Sequence, residues 1–157
     1  MGKVAIVTGG TRGIGEAICI ALRDSGFTVA ANYAGNVERA KAFTERSGIP
    51  AYQWDVADHK ACLDGCAKVA ADLGPIDVVV NNAGITKDQI LLRMKVEEFD
   101  SVINTNLRGS FLCTREVLKP MMKARKASVI FITSVVGQFG NPGQANYCAS
   151  KAGLIGF

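Results

Sequence analysis

The chain has 157 residues, 48% apolar and 20% charged, with 18 lysines and arginines against 14 aspartates and glutamates. That length fits about one domain with a continuous core, and the apolar share excludes a disordered chain. The net charge of +4 is scattered along the sequence, which excludes a nucleic-acid stripe, and no apolar run reaches bilayer length, so neither nucleic acid nor membrane is expected as a partner.

Residues 1–7 have the outline of a signal peptide, but the apolar run is too short and a polar glycine-rich stretch follows at once. They read as a mature first strand at 4–7, which points to the cytoplasm. Next comes Thr8-Gly9-Gly10-Thr11-Arg12-Gly13-Ile14-Gly15, a GxxxGxG spacing that runs into a helical stretch over 14–24. Glycine permits positive φ and close backbone approach to a pyrophosphate, and the free N–H groups and positive dipole end of a helix start attract phosphate. Many such loops are plain turns; a strand before and a helix after favour the dinucleotide reading.

A second strand is predicted at 28–31. An NAD-selective fold places a carboxylate near its end, and Ala30-Ala31-Asn32-Tyr33-Ala34-Gly35-Asn36 holds none. With Arg12 in the loop available to pair with a 2'-phosphate, this favours NADP(H) over NAD(H); a solvent-facing Arg12 is the alternative. Helices at 37–46 and 60–73 flank a weaker strand at 51–54. The one histidine, His59, fits a helix start or a surface position. The fourth strand, 77–80, ends in Asn81-Asn82-Ala83-Gly84, small and polar enough for a cofactor to approach, or else a plain turn. A long helix is predicted from about 106 to 125, with Asn106 either capping it or relaying through water to Lys151. The fifth strand, 128–132, leads to Ser134, a candidate donor to a substrate carbonyl.

Near the end stand Tyr147 and Lys151, four residues apart and so on one face of a predicted helix. A neighbouring ammonium helps a phenol exchange its proton with a substrate oxygen, and reduction of a ketone needs that proton donor. Cys19, Cys62, Cys66, Cys113 and Cys148 lack paired CxxC spacing, so neither a disulfide framework nor a metal site is expected. Strand and helix alternate throughout, the signature of an α/β, doubly wound parallel sheet of the Rossmann type, formed by a single domain over 1–157.

Together these residues resemble the short-chain dehydrogenases/reductases, which carry TGxxxGxG, an Asp-Val pair after the third strand, NNAG and an Asn, Ser, Tyr, Lys tetrad. The resemblance implies that Thr8, Gly9, Arg12, Gly13, Ile14 and Gly15 line the diphosphate and ribose of NADP(H), with Asn32 also among the cofactor contacts. It places Asp55 and Val56 beside the adenine, and Asn82, Ala83 and Gly84 by the nicotinamide ribose, together with Tyr147 and Lys151. The tetrad maps onto Asn106, Ser134, Tyr147 and Lys151.

Residues 137–147 and 82–94 resemble the branch that reduces 3-oxoacyl groups on acyl carrier protein. TGGTRGIGEAI and AANYAGN resemble the acetoacetyl-CoA reductases of polyhydroxybutyrate synthesis. Both branches reduce a 3-oxoacyl thioester with NADPH; a dehydrogenase of another alcohol, or a dinucleotide-binding protein without catalysis, remains open. Family members continue past the Tyr-Lys helix to a last strand with tetramer contacts. An end at Phe157 therefore implies a fragment of a longer homotetrameric protein, its sheet incomplete at the C-terminal end.

Overall fold

A computed structural model of the chain describes residues 2–157. The first strand, β1 (Val4–Val7), is apolar at every position because it is buried on both faces. Its side chains alternate: Val4 and Ile6 enter one core, Ala5 and Val7 the other. Beside it run β2 (Thr28–Tyr33), β3 (Ala51–Gln53), β4 (Ile76–Asn81) and β5 (Ser128–Phe131), all parallel, in the order β3-β2-β1-β4-β5. The expected doubly wound sheet is present, with β2 and β4 longer, and β3 and β5 shorter, than their apolar runs suggested.

Helices α1 (Gly13–Asp24) and α2 (Val37–Ser47) cover one face through Cys19 and Phe43. Helices α3 (His59–Leu73) and α5 (Gly109–Ala124) cover the other through Cys62, Val69, Leu112 and Val117. Local chemistry sets the helix starts: the Asn36 side chain accepts from Arg39 N at 2.8 Å, and that of Asp58 from Ala61 N at 2.8 Å. His59 thus stands at a helix start. Among the described residues no helix is long and apolar enough to cross a membrane.

The region expected to be one long helix from residue 106 is built differently. Helix α4 (Val96–Ile103) starts ten residues earlier, where Lys95 N donates to the Glu98 carboxylate at 2.9 Å, and passes through a π-helical turn, Asn104–Arg108, into α5. Asn106 therefore caps nothing. A π turn takes in one extra residue, and here it turns the Asn106 side chain inward, onto the backbone of Ile85. Two further helices follow β5: the short α6 (Val136–Phe139) and α7 (Ala145–Gly156).

The strand order reverses between β1 and β4, so a crevice opens at their carboxyl ends. Thr8 holds this junction together: its buried hydroxyl accepts from Asn82 N and Ala83 N, both at 3.0 Å, and donates to Val80 O at 3.4 Å. Thr8→Val keeps the shape and removes both acceptor contacts, leaving two backbone N–H groups unpaired at about 1–3 kcal/mol each. We expect Thr8→Val to unfold at clearly lower urea concentration than Thr8→Ser, which retains the oxygen. Equal midpoints for the two variants would show that the hydroxyl is dispensable.

Candidate active site

The glycine loop joins β1 to α1 over the crevice. Gly9 adopts φ +64°, and a Cβ on Gly15 would lie 2.2 Å from the Gly9 carbonyl oxygen, so neither position accepts a side chain without distortion. Asn82 Nδ2 donates to Thr8 O at 2.9 Å and to Gly9 O at 3.3 Å, which fixes the loop against the end of β4. No side chain caps α1 at Arg12, so its first-turn N–H groups remain available to an anion.

On one side of the loop lies a cleft of about 430 Å³ over the ends of β1, β2 and β3. Gly9, Arg12, Asn32, Asp55, Val56, Ala83 and Gly84, all cofactor candidates in the sequence, border it. Their polar atoms are not equally free. Asn32 is buried and donates to Trp54 O at 2.9 Å while accepting from Gly9 N at 3.3 Å, so its amide serves the scaffold. Asp55 Oδ1 accepts from Ala57 N at 2.9 Å. Thr8 borders neither this cleft nor its neighbour, because its side chain is spent beneath the loop. One cationic residue escaped the sequence reading. Arg39, in the first turn of α2, borders the same cleft as Arg12. The signal lay three residues beyond the stretch searched for a carboxylate.

On the other side a second cleft, of about 570 Å³, shares Arg12, Gly84 and Ile85 with the first, so the two form one groove along the ends of the strands. Ile14, Asn82, Ser134, Tyr147 and Lys151 border it. Gly13 and Gly15 lie in the first turn of α1 and border neither cleft. Tyr147 and Lys151 lie one turn apart on α7, the lysine Nζ 5.5 Å from the phenol ring centroid. Lys151 is only 4% exposed; burial pulls its pKa below the ordinary lysine value, and its Nζ donates to Ile132 O at 2.7 Å. Ser134 is half-buried, three residues past the end of β5.

Three of the four tetrad candidates therefore face one cavity; Asn106 lies behind it. Its side chain accepts from Ile85 N at 2.8 Å and donates to Ile85 O at 3.0 Å and Ser150 Oγ at 3.1 Å, while its carbonyl accepts from Ser110 Oγ at 2.8 Å. The expected cap at this position gives way to a brace under the Gly84–Ile85 wall.

Comparison with known proteins agrees with this architecture. The short chain dehydrogenase family matches the chain over residues 3–157. Acetoacetyl-CoA reductases from Rhizobium meliloti and Shinella zoogloeoides are each 54% identical to it, over 99% and 100% of the chain respectively. A 3-oxoacyl-[acyl-carrier-protein] reductase from Staphylococcus epidermidis is 47% identical over 99% of the chain. The chain spans about 65% of the length of these curated relatives. With a parallel β3-β2-β1-β4-β5 sheet, the glycine loop at its reversal and a match across nearly every residue, the chain belongs to the short-chain dehydrogenase family.

Proposed function

We propose that the protein uses NADPH to reduce a 3-oxoacyl thioester, carried on CoA or acyl carrier protein, to the 3-hydroxyacyl thioester. One observation carries this reading: a phenol with a buried ammonium beside it faces the same groove as the glycine loop. Reductases of this family bind a nicotinamide dinucleotide, and the loop fits one, since it lies at the reversal of the strand order and no side chain caps the start of α1. The bound cofactor supplies the hydride. In the second cleft the Ser134 hydroxyl donates to the substrate carbonyl and orients it. Tyr147 gives its proton to the oxygen as charge develops there. Lys151 attracts the negative charge left on the phenol oxygen, and with one N–H engaged by Ile132 O, its remaining donors serve the ribose. The relatives' names include both CoA and carrier-protein thioesters, which supports the thioester over other alcohols.

Preference for NADPH rests on Arg12 and Arg39, two guanidiniums bordering the adenosine-side cleft near a β2 end that lacks a carboxylate. A charge-assisted hydrogen bond contributes about 1.5–3 kcal/mol. The Arg12→Ala/Arg39→Ala variant should therefore lose roughly a hundredfold or more in kcat/KM with NADPH and little with NADH. Steady-state kinetics with both cofactors measure this, and an unchanged preference would refute the assignment.

The natural-length protein should consume NADPH, followed by its absorbance, with acetoacetyl-CoA or a carrier-bound analogue. Tyr147→Phe should bind NADPH normally and reduce neither; a Tyr147→Phe enzyme that still turned over would remove the phenol from the chemistry.

Lys151 adds a pH signature. Burial disfavours its ammonium in the folded chain, whereas the unfolded chain keeps the ordinary lysine value of 10.5. The cost of burying the charge is full below the lowered folded value and vanishes as pH rises through the window up to 10.5. The stability of the parent relative to Lys151→Met should accordingly increase as pH is raised from neutrality towards that value. Urea unfolding across this range checks it, and a constant difference between the two proteins would contradict it.

A further inference from the structure

Helix α7 carries a second polar stripe, offset by one residue from Tyr147 and Lys151. Asn146 and Ser150 are also four apart and share a face, and both are fully buried. Buried polar side chains in a helix interior cost free energy unless satisfied, and these two are satisfied in a particular way. The Asn146 side-chain oxygen accepts from Tyr147 N at 2.7 Å, and the Ser150 hydroxyl donates to Tyr147 O at 2.7 Å. Both main-chain polar groups of Tyr147 are thus held by this stripe.

The far sides of the same two side chains are anchored outside the helix. Asn146 Nδ2 donates to Lys87 O at 2.9 Å and, more weakly, to Glu98 O at 3.4 Å, in the segment after β4 and in α4. Ser150 Oγ accepts from Asn106 Nδ2 at 3.1 Å, and Asn106 is itself bonded to both backbone polar groups of Ile85. Two glycines let neighbours press close: a Cβ on Gly137 would lie 2.8 Å from Lys151 C, and one on Gly153 would lie 2.6 Å from a Leu107 methyl. Close packing limits sliding of the helix, and the directional hydrogen bonds limit its rotation.

We propose that Asn146 and Ser150 are positioning residues, a rotational lock that aims the Tyr147 phenol at the groove by tying its backbone to the 85–87 wall. The phenol oxygen sits at the end of a long lever, so a small rotation of α7 displaces it considerably. Misplacement by about 1 Å is enough to cost roughly a hundredfold in rate. Neither residue needs to touch substrate. The proposal rests on the reading of Tyr147 as proton donor.

The test uses the natural-length protein labelled with 3-fluorotyrosine, the Tyr147 signal being assigned by its loss in Tyr147→Phe. Ser150→Ala retains a strong helix former, so the fold survives even if Asn146→Ala is poorly stable. In Ser150→Ala, and in Asn146→Ala where it folds, the Tyr147 fluorine resonance should shift or split. In the same variants kcat should fall by about tenfold to a hundredfold, while the NADPH dissociation constant stays near that of the parent and Ser150→Ala, its urea midpoint lowered by the one Asn106 N–H left unpaired, remains folded. An unmoved resonance overturns the lock, and so does a moved resonance with undiminished kcat. If the parent reduces no 3-oxoacyl thioester, that reading of the substrate fails by itself and the fluorine signal alone decides the lock.

Discussion

The groove depends on one junction, the hydrogen-bonded contact between the end of β1 and the end of β4. Thr8 and Asn82 are 74 residues apart in sequence, yet each spends its side chain on the other's backbone. Asn82 also holds the Gly9 carbonyl, so the glycine turn takes its shape only once β4 has docked beside β1. The geometry of the glycine turn is therefore a tertiary property, although its residues are contiguous. A loop of this composition in isolation would sample many conformations, because glycine lowers the barrier to all of them. Its rigidity comes from residues that touch no ligand.

The same division of labour recurs around α7. The residues of α7 that face the groove are Tyr147 and Lys151. Behind them Asn106, Asn146 and Ser150 form a buried polar layer whose hydrogen bonds run to backbone groups of the 85–87 segment. Burying Lys151 is unfavourable, and the carbonyl of Ile132 partly offsets it with a bond of 2.7 Å. An ammonium that kept its full hydration would be free to swing into water; burial holds it beside the phenol.

What the sequence made legible was whatever depends on local pattern. Fully apolar runs marked β1 and the centre of β4, because strands buried on both faces leave no polar positions. Gly9, Gly13 and Gly15 announced the turn, and the four-residue spacing of Tyr147 and Lys151 announced a shared helix face. The π turn was not legible: an asparagine after another asparagine and a threonine resembles a helix start, and only the Ile85 backbone, more than twenty residues away along the chain, draws Asn106 inward. The role of the Thr8 hydroxyl beneath the loop was hidden for the same reason, since no local feature shows that it faces β4. Arg39 was missed because proximity in the cleft arises from the turn between β2 and α2, not from a motif.

The distribution of unsatisfied and costly features has a direction. Among the described residues, Trp54 Nε1 and Asn81 Oδ1 are the buried side-chain polar atoms without a partner, and both stand at the carboxyl ends of strands, β3 and β4. Lys151, the buried cation, lies above the end of β5. Ile14, 66% exposed although apolar, stands in the first turn of α1 and borders the second cleft. The opposite ends of β1 and β4 show the reverse, for Val4 N finds the Asp77 carboxylate at 2.9 Å and both strands begin in buried aliphatic residues. The buried side-chain polar atoms left without a partner thus gather at the carboxyl ends. A sheet optimised only to fold would have no reason for that asymmetry, whereas the proposed groove, holding a charged ligand and a reacting carbonyl, would require polar groups held out of water on one side alone.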